Sequence, residues 1–188
     1  MKIIGIGGTD GSGKDSLGHF LRDEYGWCFI SVTDLLRDEA RKRGMPLSRS
    51  TLKIISAEWR AESGLGILID RTVAEYKSQS NNKFAGLAVA SLRNPGEADR
   101  VHELGGQVVW LDAPIELRYQ RAVDRNKGTE DQVTFEEFKA EEAAQMSHEG
   151  DETTLNLSGV KAKADIFITN DNNDIENFKK TAQKALNL

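Results

Sequence analysis

The 188-residue chain has one cysteine, Cys28, and only three prolines. A lone cysteine excludes an internal disulfide and any cysteine-rich zinc site. It sits in the apolar run Trp27-Cys28-Phe29-Ile30, where it reads as a small packed hydrophobe rather than a reactive thiol. Long apolar stretches are missing as well. The opening MKIIGIGG is too short for a signal peptide or a membrane span, so a cytoplasmic protein without a membrane partner is expected. There is no surplus of positive charge, because the net charge is -5. A broad nucleic-acid surface, which works by releasing phosphate counterions, is therefore not expected, and any basic site must be local. The three histidines, His19, His102 and His148, share no metal-ligand spacing. No repeat and no low-complexity segment is visible.

Hydrophobic residues make up 38% of the chain and charged ones 29%, ordinary values for one globular domain large enough to bury a core. Short β-branched runs alternate with longer amphipathic stretches, the pattern of a parallel sheet covered by helices. Strands are expected at 2–6, 28–32, 83–90, 108–111 and 166–169. Helices are expected at 12–25, 34–43, 51–62, 66–79, from Asn94-Pro95-Gly96-Glu97, from Pro114, over 134–146 and over 175–186. Asp34 reads as a helix cap, and Asn94 with Glu97 as a capping box. The polar stretches 126–133 and 147–156 are the expected mobile segments. The result is a doubly wound three-layer α/β/α domain with five parallel strands, whose ligands bind at the carboxyl ends of the strands.

The strongest motif is Gly8-Thr9-Asp10-Gly11-Ser12-Gly13-Lys14, placed between an expected strand and an expected helix. That context is the one a phosphate-binding loop (P-loop) requires. Its glycines let backbone N–H groups close on phosphate oxygens, the helix N-terminus adds partial positive charge, and Lys14 reaches the β- and γ-phosphates. Gly8, Asp10, Gly11, Ser12, Gly13 and Lys14 are thus candidate ATP ligands. The residue after the lysine, where the motif has Ser or Thr, is Asp15, followed by Ser16. Oxygen donors suit Mg²⁺, so Asp15 and Ser16 are the metal candidates. Both also join the ATP-binding set, with the metal offsetting the charge that Asp10 and Asp15 bring near phosphates.

Ser31-Val32-Thr33-Asp34-Leu35-Leu36-Arg37 resembles the segment after the second strand of nucleoside monophosphate kinases, where an Asp-x-x-Arg unit faces the acceptor. Arg37 can fork onto an acceptor phosphate, whereas the bland alternative is an exposed i,i+3 ion pair. Arg93, in Ser91-Leu92-Arg93, resembles a second acceptor-binding arginine. In that family an acid usually closes the third strand, and here Ala88-Val89-Ala90-Ser91 lacks it, which leaves metal placement to Asp15 or Asp34. The helix carrying Arg118, Arg121 and Arg125 resembles the one leading into the lid. The three could share a face toward the phosphates, with Arg121 and Arg125 the strongest, or form a solvated basic face. Cationic clamps supply much of the catalysis of phosphoryl transfer.

Over nearly its whole length the chain resembles P-loop nucleotide kinases, in particular an archaeal-type group related to dephospho-CoA kinases and adenylate-kinase-like nucleoside monophosphate kinases. Arg37-Asp38-Glu39-Ala40-Arg41-Lys42-Arg43-Gly44, Glu58-Trp59-Arg60-Ala61-Glu62-Ser63-Gly64 and Ala164-Asp165-Ile166-Phe167-Ile168-Thr169-Asn170-Asp171 carry that likeness. It implies a single kinase domain over 1–188, acceptor-binding helices at about 34–80 and a short lid at about 126–150. It also implies ATP and Mg²⁺ as cofactors, a small-molecule nucleotide acceptor, and a monomer or homodimer. Asn170 and Asp171 become adenine-side candidates by the same likeness. Lys14, Arg121, Arg125 and Asp34 are the catalytic candidates, and Asp34, Arg37 and Arg93 the acceptor-binding ones. A monophosphate acceptor wants the arginines, whereas dephospho-CoA presents a ribose hydroxyl and wants Asp34 as base. A non-catalytic nucleotide-binding module is the rival from another class. A regulatory GTPase is disfavoured, since Asn126-Lys127-Gly128-Thr129 lacks the aspartate of a guanine reader. Trp59, Trp110 and the acidic run Glu136 to Glu142 read as packing and as a solvated helix face.

Overall fold

The computed structural model describes residues 1–79, 84–125, 134–146 and 150–188, with Arg125 described by its backbone only. The expected lid entry at 126–133, Lys83 and His148 lie outside the described residues.

Five parallel strands form one sheet in the order β2-β3-β1-β4-β5: β1 (Ile3–Gly8), β2 (Cys28–Ser31), β3 (Leu87–Leu92), β4 (Gln107–Asp112) and β5 (Ile166–Thr169). Alternation along the strands sends successive side chains to opposite faces, and each face carries its own core. Ile3, Ile30, Val89, Val108 and Trp110 pack with residues of α2 (Val32–Lys42), α3 (Arg49–Ser63), α4 (Ile67–Ser78) and α5 (Pro95–Glu103). Ile4, Ile6, Ala88, Ala90 and Leu111 pack on the other face with α1 (Lys14–Tyr25) and α9 (Ile175–Leu186). Cys28 is buried, and burial pushes its thiol up from the ordinary value, in line with a packing role. Among the described residues the remaining helices are α6 (Ile115–Arg125), α7 (Phe135–Met146) and a short α8 (Leu157–Ala162) that the sequence pattern had not suggested.

Helix limits follow local chemistry. Helix α1 buries Leu17, Phe20 and Leu21 and stops at Gly26, whose φ of 67° allows its N–H to reach Arg22 O. Helix α5 opens on the full Asn94/Glu97 capping box with Pro95 in its first turn. Helix α2 departs from expectation. It starts two residues earlier, at Val32 with Ser31 as its N-cap residue, and Asp34 lies inside its first turn rather than capping it. There the carboxylate is still favoured by the helix dipole.

The third strand begins later and runs further than its composition suggested, and its end is irregular. The β1–β3 register pairs Ile6 with Ala90 but Gly7 with Leu92, so Ser91 is an inserted bulge residue. Ser91 has a φ of 73°, a conformation uncommon for a residue bearing a Cβ. The insertion returns Leu92 to the α2–α5 face of the core and places Arg93 at the carboxyl end of the sheet. Residues 150–156, expected to be mobile, are tied down in several places. Asn94 Nδ2 donates to Glu152 O and Thr154 O, Arg60 Nη1 to Thr153 O, and Asn156 N to Arg93 O.

Candidate active site

A cavity of about 510 Å³ lies at the carboxyl ends of the strands. Its floor is the turn from β1 into α1. Gly8, Gly11 and Gly13 have φ values of 145°, 74° and 102°. A Cβ at Gly13 would sit 2.6 Å from Asn170 Nδ2, and one at Gly11 2.6 Å from Arg118 O. Gly11, Gly13, Lys14, Asp15 and Ser16 line the cavity, whereas Gly8 and Ser12 do not. Ser12 is fully buried, and its Oγ has no hydrogen-bond partner among the described residues. Lys14 Nζ donates to Thr9 O at 2.5 Å, and Thr9 Oγ1 in turn donates to Asp112 at 3.1 Å. The acid at the end of β4 therefore braces the loop from behind.

On one side of the loop, Arg121 reaches from α6. Its Nη1 donates to Gly11 O at 3.2 Å and its Nε to Asn173 Oδ1 at 2.9 Å, with further bonds to the carbonyls of Asn170 and Asn172. Burial lowers its pKa from the ordinary arginine value. Asn170 Nδ2 donates to Ser12 O at 3.0 Å, stitching the loop after β5 to the phosphate turn. Asn172, Asn173, Asp174, Ile175 and Phe178 complete this side, and Asp171 does not line it. The arrangement offers a shallow apolar shelf, Ile175 and Phe178, beside amide groups.

On the other side stand Asp34 and Arg37 of α2 and Arg93 beyond β3. Arg37 Nη1 donates to Asp34 Oδ1 at 3.0 Å, so the i,i+3 pair exists and both members line the cavity. Arg93 Nη1 donates to the neutral Gln145 Oε1 at 2.7 Å. Burial lowers the Arg93 pKa, the charges of Asp10 and Glu97 oppose that effect, and those of Arg49 and Arg60 add to it. A guanidinium so placed is a ready partner for an anion.

Sequence reasoning missed a whole face of α3. Arg49, Lys53, Ser56 and Arg60 all line the cavity, and their spacing of four, three and four residues puts them on one helical stripe. Arg60 is held there by a buried bond to Glu97, at 2.7 Å from Nη2 to Oε1. The stripe spacing was present in the sequence, but nothing local said which face α3 turns inward.

Two expectations need correction. Arg118 does not share the phosphate-facing side with Arg121. It is buried, donates through Nε to Ala113 O at 2.7 Å and pairs with Glu142, so it supports the loop. The acidic run on α7 is not simply a solvated face either. Glu141 pairs with Arg49, Glu142 with Arg118, and Gln145 with Arg93. Arg125 closes α6, and its side chain lies outside the described residues.

For Mg²⁺ the donors present are suitable. Asp15 and Ser16 stand in the first turn of α1 and both line the cavity, and hard oxygen donors together with phosphate oxygens and water are the usual setting for this ion.

A UPF0200 protein of Pyrococcus abyssi is 29% identical over 182 residues, 95% of this chain and 91% of the relative. A cytidylate kinase of Methanopyrus kandleri is 29% identical over 125 residues, 65% of this chain and 62% of its own length. Among solved structures, shikimate kinase from Acinetobacter baumannii in complex with shikimate has a TM-score of 0.54 at 19% identity, covering 98% of this chain and 90% of that one. This likeness shows the fold, the α/β fold of P-loop NTPases. A family model described as AAA domain (AAA_18) matches residues 4–145, and the chain belongs to that family as a P-loop kinase-like domain.

Proposed function

We propose that the protein is an ATP-dependent phosphotransferase that moves the γ-phosphate of Mg·ATP to a nucleotide-like acceptor, a (deoxy)nucleoside monophosphate above all. The observation that carries this reading is that Arg37 and Arg93 open onto the same cavity as Lys14 and Arg121. Two cationic groups for a donor and two for an acceptor thus meet across one phosphate loop. The relative named cytidylate kinase supports a monophosphate acceptor.

In this reading the loop amides and Lys14 hold the β- and γ-phosphates, and Arg121 sits where it can neutralise charge on the moving group. Arg37 and Arg93 hold the acceptor phosphate so that one of its oxygens faces the γ-phosphorus. A new P–O bond forms there as the bond to the ADP oxygen breaks, and ADP leaves with that electron pair. Asp15 and Ser16 would hold Mg²⁺, which supplies charge neutralisation on the β- and γ-oxygens. Asn170, Ile175 and Phe178 provide a seat for the adenine.

A second reading rests on Asp34, which lines the cavity beside Arg37. If the acceptor presents a hydroxyl, as dephospho-CoA does, Asp34 takes its proton and Arg37 orients the base.

The test is ADP release with Mg·ATP against a panel of nucleoside monophosphates and dephospho-CoA, with Lys14→Ala as control. Turnover with a monophosphate that is lost in Lys14→Ala supports the first reading. A response to dephospho-CoA alone moves the assignment to the second. Bound ATP with no turnover on any acceptor makes the protein a nucleotide-binding module instead.

A further inference from the structure

Asp10 lies inside the phosphate loop, where a carboxylate should repel the ligand the loop is built to hold. Its surroundings explain how it is tolerated. Oδ1 accepts from the Gly11 N–H at 3.0 Å, and Oδ2 accepts from Arg49 Nη2 at 3.0 Å. One loop amide and one guanidinium are the partners a phosphate oxygen would take in the same place. Arg49 begins α3, lines the cavity, and holds Glu141 of α7 with its other terminal nitrogen. Its guanidinium therefore stands one carboxylate away from a phosphate-binding amide.

We infer that Arg49 is a ligand of the terminal phosphate, held on Asp10 and Glu141 and transferred from Asp10 to the γ-phosphate of bound nucleoside triphosphate. The inference rests on the kinase reading above and adds a residue to it. The two carboxylates, each on one terminal nitrogen, keep the guanidinium at the cavity and oriented, so little rotamer freedom remains to be lost when the phosphate arrives. Glu141 stays attached and links nucleotide occupancy to α7, the helix that also holds Arg93 through Gln145. The competing account is that Arg49 serves only as the counter-charge of Asp10.

A mutant cycle separates the two. Calorimetry measures Mg·ATP and Mg·ADP affinity for wild type, Arg49→Gln, Asp10→Asn and the double variant. A γ-phosphate ligand predicts that Arg49→Gln weakens ATP roughly 10-fold more than ADP. The double variant should keep that loss, and Asp10→Asn alone should keep or raise the preference for ATP. The inference is overturned if Arg49→Gln leaves the ATP-to-ADP ratio unchanged, or if the double variant restores it. Should Arg49→Gln not fold, Glu141→Gln takes its place: loss of the carboxylate that orients Arg49 should lower the preference for ATP, and an unchanged or raised ratio counts against the inference. Wild type binding neither nucleotide would sink the kinase reading itself. Wild type binding both, with Arg49 indifferent, would sink only the role given to Arg49.

Discussion

Gly13 shows how narrow the phosphate turn is. Its φ is 102°, and any Cβ would press on Asn170 Nδ2, the donor that ties the β5 loop to Ser12 O. Gly13→Ala should therefore cost both backbone strain of about 1 kcal/mol or more and the Asn170 bond. Nucleotide titration should show binding weakened more than 10-fold while the fold persists in circular dichroism. Ser91 is the opposite case, a residue with a Cβ where glycine would be easier. Ser91→Gly should raise stability by up to about 1 kcal/mol in urea denaturation, because the left-handed conformation of the bulge is no longer strained. Ser91→Val should lower it, since a β-branched side chain fits that conformation worst. If Ser91→Gly is destabilising instead, the bulge is held by its hydroxyl and not by the geometry of the strand.

At the scale of elements, the seam between β4 and β5 carries a measurable pH dependence. Asp165 Oδ2 accepts from Val108 N at 2.7 Å and pairs with His102 Nε2 at 2.9 Å. Burial, the largest single influence, raises its pKa, but the Val108 and His102 bonds together outweigh it and the net shift is downward. A depressed folded value means the contribution is present above the ordinary carboxylate pKa of about 4 and is lost as pH falls through the folded value. Asp165→Asn should lower the thermal midpoint at pH 7 and converge with wild type in acid. The effect should stay below about 1 kcal/mol, because the group is partly solvated. Helix α7 shows what element-level reading of a sequence misses. Its Thr134/Glu137 capping box is present as the residues suggest, with Thr134 N donating to Glu137 at 2.7 Å. Its apolar pattern is weak, with Phe138 the buried residue. Glu141, Glu142 and Gln145 find their arginines on α3, on α6 and past β3, partners 24 to 92 residues away in the chain. No local pattern encodes such pairings.

For the molecule as a whole, the buried pair of Arg60 and Glu97 is the joint between the acceptor-side helices and the sheet. The side chains are 2% and 0% exposed. Glu97 also accepts from the N–H groups of Arg93 and Asn94, and Arg60 holds Thr153 O. Removing one charge leaves the other buried without its partner, so Glu97→Gln should cost roughly 3 kcal/mol in denaturant unfolding. Asp38→Asn, which breaks the exposed pair with Arg41, should cost less than about 1 kcal/mol. Equal effects would mean that burial does not set the strength of this joint. The same variant should also weaken the acceptor side, since Arg93 takes its backbone position from Glu97.

What the sequence alone determined are the features whose cause is local. The phosphate turn follows from glycine spacing, the strands from β-branched runs, and the helix ends from Gly26 and the Asn94 box. Chain connectivity and right-handed crossovers then leave few ways to order five parallel strands, so the fold class was legible too. Lys14 could be singled out from its motif between strand and helix, and Arg37, Arg93 and Arg121 through the likeness of their segments to nucleoside monophosphate kinases. Only the tertiary structure decided which face each helix turns inward. It buried Arg118 behind the loop, brought Arg49, Lys53 and Arg60 to the cavity, and turned acidic α7 into a clamp on arginines. It also added the bulge at Ser91, because the packing of Leu92 in the core fixed the register there. Long side chains with one charge look alike in sequence. Their roles are settled by which distant charge the fold sets within bonding distance.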